Sequence, residues 1–345
     1  MTRLRDIAQQ AGVAVNTVSK ALRDAPDLSP ATKTRIKLLA QQMGYVPDSA
    51  ARTLRTRRTK LFGLVISSMT NPVYSRIVLA IEEKTHELGY DILFAHTLNT
   101  PEREEARIRQ FLSRRVDGLF VAPVYRLATE ARIYQELLAR RVPTVVLGHS
   151  APFCRQFVNV ETDDLLASYS VTQHLLKLGH RRIAFLAGPP ATPWTQERLE
   201  GYRQALREAS IEEDDKLVFQ AGRTIEEGAA TAQQMIDERC DATAVQAVND
   251  VVAVGCAETL LHHGLKIPQD MSVAGFGNIL LGEHFRVPLT TTRQPKFRLG
   301  LAAVSAMQEL ILGRRPESRR LPAELIVRAS TGTPPAVHRL RQLKQ

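Results

Sequence analysis

Near the start of the chain, apolar residues recur every three or four positions. Leu4, Ile7, Ala8 and Ala11 make one helical stripe, which Gly12 ends, and Val15, Val18, Ala21 and Leu22 make a second. Ser29-Pro30 is a start signal, an N-cap followed by proline at the first helical position. The helix it opens is expected to bury Ile36, Leu39, Ala40 and Met43 before Gly44 closes it. Three short helices, with Gly12-Val13-Ala14 as the turn between the first two, form a helix-turn-helix pattern.

After Pro47 the periodicity stops. DSAARTLRTRRTK is basic and polar, with Leu54 as its one large apolar residue, and predicts a linker that becomes helical only with a partner. From Leu61 the pattern changes to continuous apolar runs alternating with amphipathic segments. LFGLVIS, YDILFA, DGLFVAP and PTVVLG read as strands, separated by helices near 71–88, 101–114 and ending near 141. RIAFLAG, KLVFQ, AVQAV and MSVAGF form a second series, with helices over 164–178, 195–209, 225–239 and 251–263. Strands that are apolar throughout belong in parallel sheets covered on both faces. Two series predict an α/β body of two lobes whose strand C-terminal ends line a shared cleft. The expected organisation is an all-α head over 1–47, a hinge over 48–60, a two-lobed body over 61–333 and a basic tail over 334–345.

Composition narrows the setting. The chain has 345 residues, 44% hydrophobic and 24% charged, as in globular proteins of two or three domains. No apolar run approaches the roughly 20 residues that span a bilayer, and MTRLRDIAQQ lacks the apolar core of a signal peptide, so a cytoplasmic, non-membrane protein is expected. Cys154, Cys240 and Cys256 form no CxxC pair and are expected to be small buried hydrophobes. The net charge of +10 is uneven: residues 1–60 hold twelve Lys/Arg against four Asp/Glu, and the remainder 34 against 32. A basic head on a nearly neutral body points to a polyanion partner, nucleic acid first and an acidic membrane surface second. No phosphate loop, GxGxxG, GxSxG or HExxH pattern occurs, Gly275-Phe276-Gly277 lacks a third glycine, and His262-His263 reads as a helix end. No enzymatic activity, cofactor or metal is therefore expected.

Candidate contacts follow from the pattern. The second helix of a helix-turn-helix enters the major groove N-terminus first. Its outward residues are Val15, Asn16 and Lys20, flanked by Thr17 and Ser19. Asn16 suits adenine, Val15 a thymine methyl and Lys20 the acceptors of guanine. Thr2, Arg5, Thr32 and Arg35 are placed for phosphates. In the body, Asn71 and Tyr74 follow the first strand, Tyr125 the third and His149 the fourth, and Trp194 offers an aromatic face for a sugar. For each of these body residues, plain packing is the competing reading.

Ordered motifs extend over roughly residues 2–333. They include RDIAQQAGVAVNTVSKAL, MGYVPDSAARTLRT, NPVYSRIVLAIEEKTHELGY, RRVDGLFVAP, LLKLGHRRIAFLAG, RLEGYRQAL, NDVVAVGCAETLLHHGLKIPQDMSVAGFG, PLTTTRQP and ELIVRAST. In this order they resemble the lactose-repressor (LacI/GalR) family of bacterial regulators. The resemblance implies a periplasmic-binding-protein-like body, double-stranded operator DNA as partner, a homodimer on a near-palindromic site, and a carbohydrate-type effector. It implies a hinge helix in which Leu54 wedges into the minor groove, Ala51 lets two hinge helices approach, and Arg52 and Arg55 face phosphates or the groove. It also implies that Arg198 reaches ligand hydroxyls or carboxylates and that Asp250 accepts from sugar hydroxyls. The chain departs from the family pattern at Ala14, Lys20 and Asp48, at Gly277-Asn278 in place of two aspartates, and at Gly148-His149 in place of Asp-Arg. Arg223, where many relatives carry an aromatic, and His284, near the missing aspartates, are expected to tilt the pocket positive, towards a sugar acid or phosphorylated sugar. A transport-type sugar-binding protein lacks such a head, and a ribose- or nucleotide-processing enzyme needs a catalytic constellation.

Overall fold

The apolar stripes of the head meet in three helices, α1 Leu4–Ala11, α2 Val15–Leu22 and α3 Pro30–Gln42. The structure, a computed structural model, describes residues 2–46 and 58–336. These divide into one unit within residues 1–59 and another within 60–345. Asp48, the residues assigned to the hinge (Ala51, Arg52, Leu54 and Arg55) and the tail beyond 336 lie outside the described residues.

Gly12 adopts φ +65° at the end of α1, which turns the chain sharply into α2. The Ser29 hydroxyl accepts from the Thr32 amide and Pro30 occupies the first turn of α3. Ile7, Ala8, Val18, Ala21, Ile36 and Ala40 are buried together, with Leu22, Leu39 and Met43 partly buried around them.

In the body, β1 Leu61–Ile66, β2 Asp91–His96, β3 Gly118–Val121, β4 Thr144–Leu147, β5 Val158–Thr162 and β11 Arg319–Leu321 form a six-stranded sheet ordered β11-β5-β4-β3-β1-β2. All its pairings are parallel. The second sheet, ordered β7-β6-β8-β9, is also parallel and contains β6 Ile183–Ala187, β7 Val218–Gln220, β8 Ala244–Ala247 and β9 Ser272–Ala274. An antiparallel pair, β10 Thr291–Arg293 with β12 Glu324–Ile326, joins this sheet through the Ala274–Thr290 bridge. Helices α4 Pro72–Glu87, α5 Pro101–Ser113, α6 Arg132–Ala139 and α12 Lys296–Ile311 accompany the first sheet. Helices α7 Asp164–Lys177, α8 Pro193–Glu208, α9 Ile225–Asp237 and α10 Asp250–His262 accompany the second, and α11 Leu280–Glu283 is one short turn near it.

The lobes are not consecutive stretches of sequence. The chain passes from one sheet to the other after Thr162, after Arg293 and after Leu321. The apolar-run pattern does not reveal β5, β10, β11 or β12, which are short and partly polar. It also leaves α12 unassigned, although Leu299, Ala303 and Met307 of that helix enter the core with Phe62, Leu64 and Phe120. Cys154, Cys240 and Cys256 are buried free thiols. Burial pushes Cys154 up to about 11 and Cys256 up to about 12, so both stay protonated at neutral pH.

One close approach positions the site. Helices α7 and α8 cross where Gly201 faces the backbone of Leu165, and a Cβ at Gly201 would stand 2.2 Å from the Leu165 carbonyl oxygen. Glycine at this point lets the helices close, and that crossing sets Arg198 of α8 beside Asp164 of α7.

Candidate effector cleft and DNA-facing helix

Parallel strands end with their C-termini on one side of a sheet, and the loops that follow them collect there. In this body the loops after β1, β3, β4, β5, β6, β7, β8 and β9 all contribute to one cavity of about 630 Å³. Asn71, Tyr74, Tyr125, His149, Trp194, Arg198, Arg223 and Asp250 line it together. His284 does not: it is exposed and caps the end of α11.

Arg198 is the most constrained of these groups. It is 7% exposed, donates through Nη1 to the Val248 carbonyl at 2.5 Å, and meets both Asp164 carboxylate oxygens at 3.2 Å through Nη2. Its guanidinium lies 3.5 Å from the Phe276 ring centroid and 4.9 Å from that of Trp194. Its Nε has no hydrogen-bond partner among the described residues, an unusual condition for a buried donor. Burial pulls the Arg198 guanidinium below its ordinary value against the opposing pull of Asp164.

Asp250 begins α10, where Asn249 caps the helix by accepting from the Val252 amide. Its Oδ1 accepts from the Thr291 hydroxyl at 2.6 Å and its Oδ2 from the Ile279 amide at 2.9 Å. Burial still raises the carboxyl above the usual range despite those hydrogen bonds. The Asp164 carboxyl is raised for the same first reason, with Arg198 and His149 opposing. His149 is 5% exposed, with Nε2 3.1 Å from Glu197 Oε2 and 3.5 Å from Asp164 Oδ2. The Tyr125 hydroxyl donates to the His149 carbonyl at 2.8 Å. Gly148 makes room for that bond: it sits at φ +129°, and a Cβ there would lie 2.8 Å from the Tyr125 oxygen. Asn71 caps α4 through its Oδ1, which accepts from Val73. Arg223 is half-buried, and its backbone amide donates to Glu227.

Two corrections to the expected pocket follow. With His284 outside, the cations among its lining are Arg198 and Arg223, with His149 titratable, against the carboxylates of Glu161, Asp164, Glu226 and Asp250. Arg198 is also spent on Asp164. The lining is therefore not positive. Asp164, Glu161, Thr192, Phe276 and Gln294 also line the cavity without having been singled out from sequence. Phe276 closes the apolar run MSVAGF, a position from which the cleft can be inferred, whereas Asp164 follows β5, which forms no such run.

On the head, Val15 and Asn16 are exposed at the start of α2, while Thr17, Ser19 and Lys20 are half-buried. Ala14 provides no side-chain cap there. Lys20 Nζ is paired with Asp27, an exposed contact that a DNA acceptor can replace at little cost. Arg5 is exposed, and Arg35 uses one of its five donors on the Ala11 carbonyl at 3.2 Å. The Thr2 hydroxyl donates to the Met43 carbonyl at 2.7 Å and the Thr32 hydroxyl pairs with that of Ser29 at 2.8 Å, so both hydroxyls are already engaged.

A three-helix head and a two-sheet body with a cavity of mixed polar and apolar lining at its strand ends define a ligand-responsive DNA-binding regulator. Residues 3–48 match the bacterial regulatory proteins of the lacI family, and residues 172–331 match a periplasmic binding protein-like domain. The chain is 31% identical to the HTH-type transcriptional regulator DegA of Bacillus subtilis, covering 96% of this chain and 98% of DegA. It shares 30% identity and a TM-score of 0.73 with the transcriptional regulator CelR–cellobiose complex, over 96% of this chain and 100% of that one. A Lac repressor dimer bound to operator and the anti-inducer ONPF matches with 26% identity and a TM-score of 0.85, over 96% and 99% of the two chains. The chain belongs to the lacI family and is a transcriptional regulator, not an enzyme. Among the described residues no helix is long and apolar enough to cross a membrane.

Proposed function

We propose that the protein is a repressor that binds a near-palindromic operator as a homodimer and responds to a polyhydroxylated, sugar-class effector held in the body cavity. The observation that carries the effector class is the pairing, in one cavity, of fixed carboxylates and a buried guanidinium with the half-buried ring of Trp194. Vicinal hydroxyls donate to carboxylates and accept from guanidinium, while a sugar's apolar face rests on a ring. An acidic sugar would find Arg223 as its one cation not already paired within the lining, so a neutral sugar fits the charge balance better. The cellobiose bound by CelR agrees with that class. Isothermal titration against cellobiose, D-ribose and D-gluconate tests it: binding of a neutral sugar is expected, and exclusive binding of gluconate would restore the acidic ligand.

On the DNA side, Val15, Asn16 and Lys20 read base edges from α2, with Thr17 and Ser19 at its flanks, and Arg5 and Arg35 contact phosphates. Thr2 serves as a phosphate contact only through its backbone amide or after its hydroxyl exchanges partners, and Thr32, whose amide and hydroxyl both engage Ser29, only after such an exchange. The segment carrying Ala51, Arg52, Leu54 and Arg55 is proposed to bind the minor groove, and lobe closure on the effector to change its presentation to DNA. Selection from a random duplex pool with the full chain should yield a near-palindrome, with affinity falling steeply as salt rises. Asn16→Ala is expected to cost about 1–3 kcal/mol of discrimination at one base position in each half-site. If Asn16→Ala selected the wild-type consensus with equal stringency, Asn16 would not read a base.

A further inference from the structure

The cavity wall contains a contact between lobes that its lining residues do not explain by themselves. Glu197 lies on α8 beside Arg198 but does not line the cavity. Its Oε2 is 3.1 Å from His149 Nε2, and its Oε1 accepts from Arg320 Nη2. His149 follows β4 and Arg320 belongs to β11, both in the first lobe, whereas α8 belongs to the second. Arg320 is anchored in turn by Nε, which donates to Glu161 of β5 at 2.8 Å. One glutamate thus joins the lobes at the edge of the cleft through two first-lobe cations.

Provided that the cavity is the effector site, we propose that Glu197 is a positioning residue of that site: it clasps the lobes together and holds the His149 ring by Nε2, leaving Nδ1 as the nitrogen offered to the ligand. Two carboxylates, Glu197 and Asp164, approach Nε2, so that nitrogen carries a proton in either charge state. Nδ1 has no hydrogen bond among the described residues, although the ring lines the cavity. The backbone on either side is held within the first lobe. Tyr125 donates to the His149 carbonyl at 2.8 Å and Asn159 Nδ2 to the Gly148 carbonyl at 3.1 Å. The first lobe therefore places the His149 backbone, and the second lobe, through Glu197, sets the ring. A neutral Nδ1 accepts from a ligand hydroxyl, and a protonated one donates to a ring or carboxylate oxygen.

The charged groups around the imidazole are Asp164 of α7, Glu197 of α8, Glu161 of β5 and Arg320 of β11, with Arg198 paired to the same Asp164 and the uncharged Tyr125 beside it. Burial pushes the imidazole down, but the Glu197 hydrogen bond and the charges of Asp164, Glu161 and Glu197 outweigh it, and His149 rests above its ordinary value. The folded value exceeds the unfolded one, so the His149 arm of the clasp contributes fully below about pH 6.5 and fades as pH rises through the folded value, while the Arg320 arm stays charged.

Histidine side-chain NMR on the full, ligand-free protein tests the proposal, with His149→Gln used only to assign the resonance. The expected wild-type result is an Nε2–H tautomer when neutral and a titration midpoint above about 6.5. Glu197→Gln should lower the midpoint by about one pH unit or more, and Glu197→Asp, which keeps the charge but withdraws it by one methylene, should fall between. An Nδ1–H tautomer, or a midpoint unmoved in Glu197→Gln, overturns the proposal; the wild-type tautomer decides even if neither variant folds. Calorimetry with cellobiose and D-ribose from about pH 5.5 to 8.5 supplies the ligand arm. Affinity for whichever sugar binds should vary with pH in wild type and the profile should move to lower pH in Glu197→Gln, and equal pH profiles would also overturn it. Failure of both sugars to bind counts against the effector class, while the tautomer and midpoint still decide the role of Glu197.

Discussion

Replacing Arg198 with alanine is expected to abolish the effector response and to destabilise the body by about 3–5 kcal/mol, the usual cost of stranding one member of a buried ion pair. Asp164 is 1% exposed, and its closest cationic partner is Arg198, with His149 at 3.5 Å. Without the guanidinium, the carboxyl either stays charged in a poor solvent or takes up a proton, and the second course limits the loss. The Val248 carbonyl also loses its donor, and the space between Phe276 and Trp194 is left unfilled. Thermal unfolding should show a drop of the order of 10 °C. Operator binding by the full chain should persist but cease to depend on sugar. The double variant Arg198→Met with Asp164→Asn should recover much of the stability and none of the response, because it removes the stranded charge without restoring donors to the ligand. Sugar affinity unchanged in Arg198→Ala would remove Arg198 from the site.

The second large effect concerns the head. Val18 is fully buried among Ile7, Ala8, Ala21, Ile36 and Ala40, which form nearly the entire core of this small unit. A unit of this size draws only about 3–5 kcal/mol from its core. Placing a carboxylate at Val18 costs several kcal/mol. Val18→Asp should therefore unfold the head and eliminate specific operator binding, while sugar binding by the body remains. Because Val15 and Asn16 lie on the exposed side of the same helix, Asn16→Ala should leave folding intact, so the two variants separate recognition from stability. Retained folding in Val18→Asp, seen as dispersed head resonances, would contradict this assignment of the core.

The head was readable because its signals are local. Gly12, Ser29-Pro30 and Gly44 mark where helices stop and start, and the intervening apolar spacing selects the inward face. Strands β1, β3, β4, β6 and β8 were equally legible as apolar runs, and a residue just after such a run falls at the cleft whatever the details of packing. Asn71, Tyr74, Tyr125, His149 and Trp194, which follow such runs, lie at the lining of the cavity. His284, expected near the cleft for its nearness in sequence to Gly277-Asn278, lies outside the lining, because that nearness says nothing about which way the short α11 turns its end. Strands β10, β11 and β12 are three residues each and every one carries a charged residue, so unlike the equally short β7 and β9 they form no apolar run.

Local residue chemistry thus determined the helix-turn-helix, the strand–helix alternation and the positions that can reach a cleft. Long-range closure decided the rest. The return of α12 and β11 to the first lobe brings Arg320 to Glu197, across 123 residues of sequence. The crossing of α7 and α8 at Gly201 turns Asp164 into the partner of Arg198. Burial then makes these charges matter: each carboxylate and cation is unremarkable as a residue type, and only the low-dielectric surroundings and the identity of the facing group set its protonation and its value to a ligand. Sequence spacing encodes the period of an element, whereas the pairing of charges across a cleft depends on how whole sheets come together.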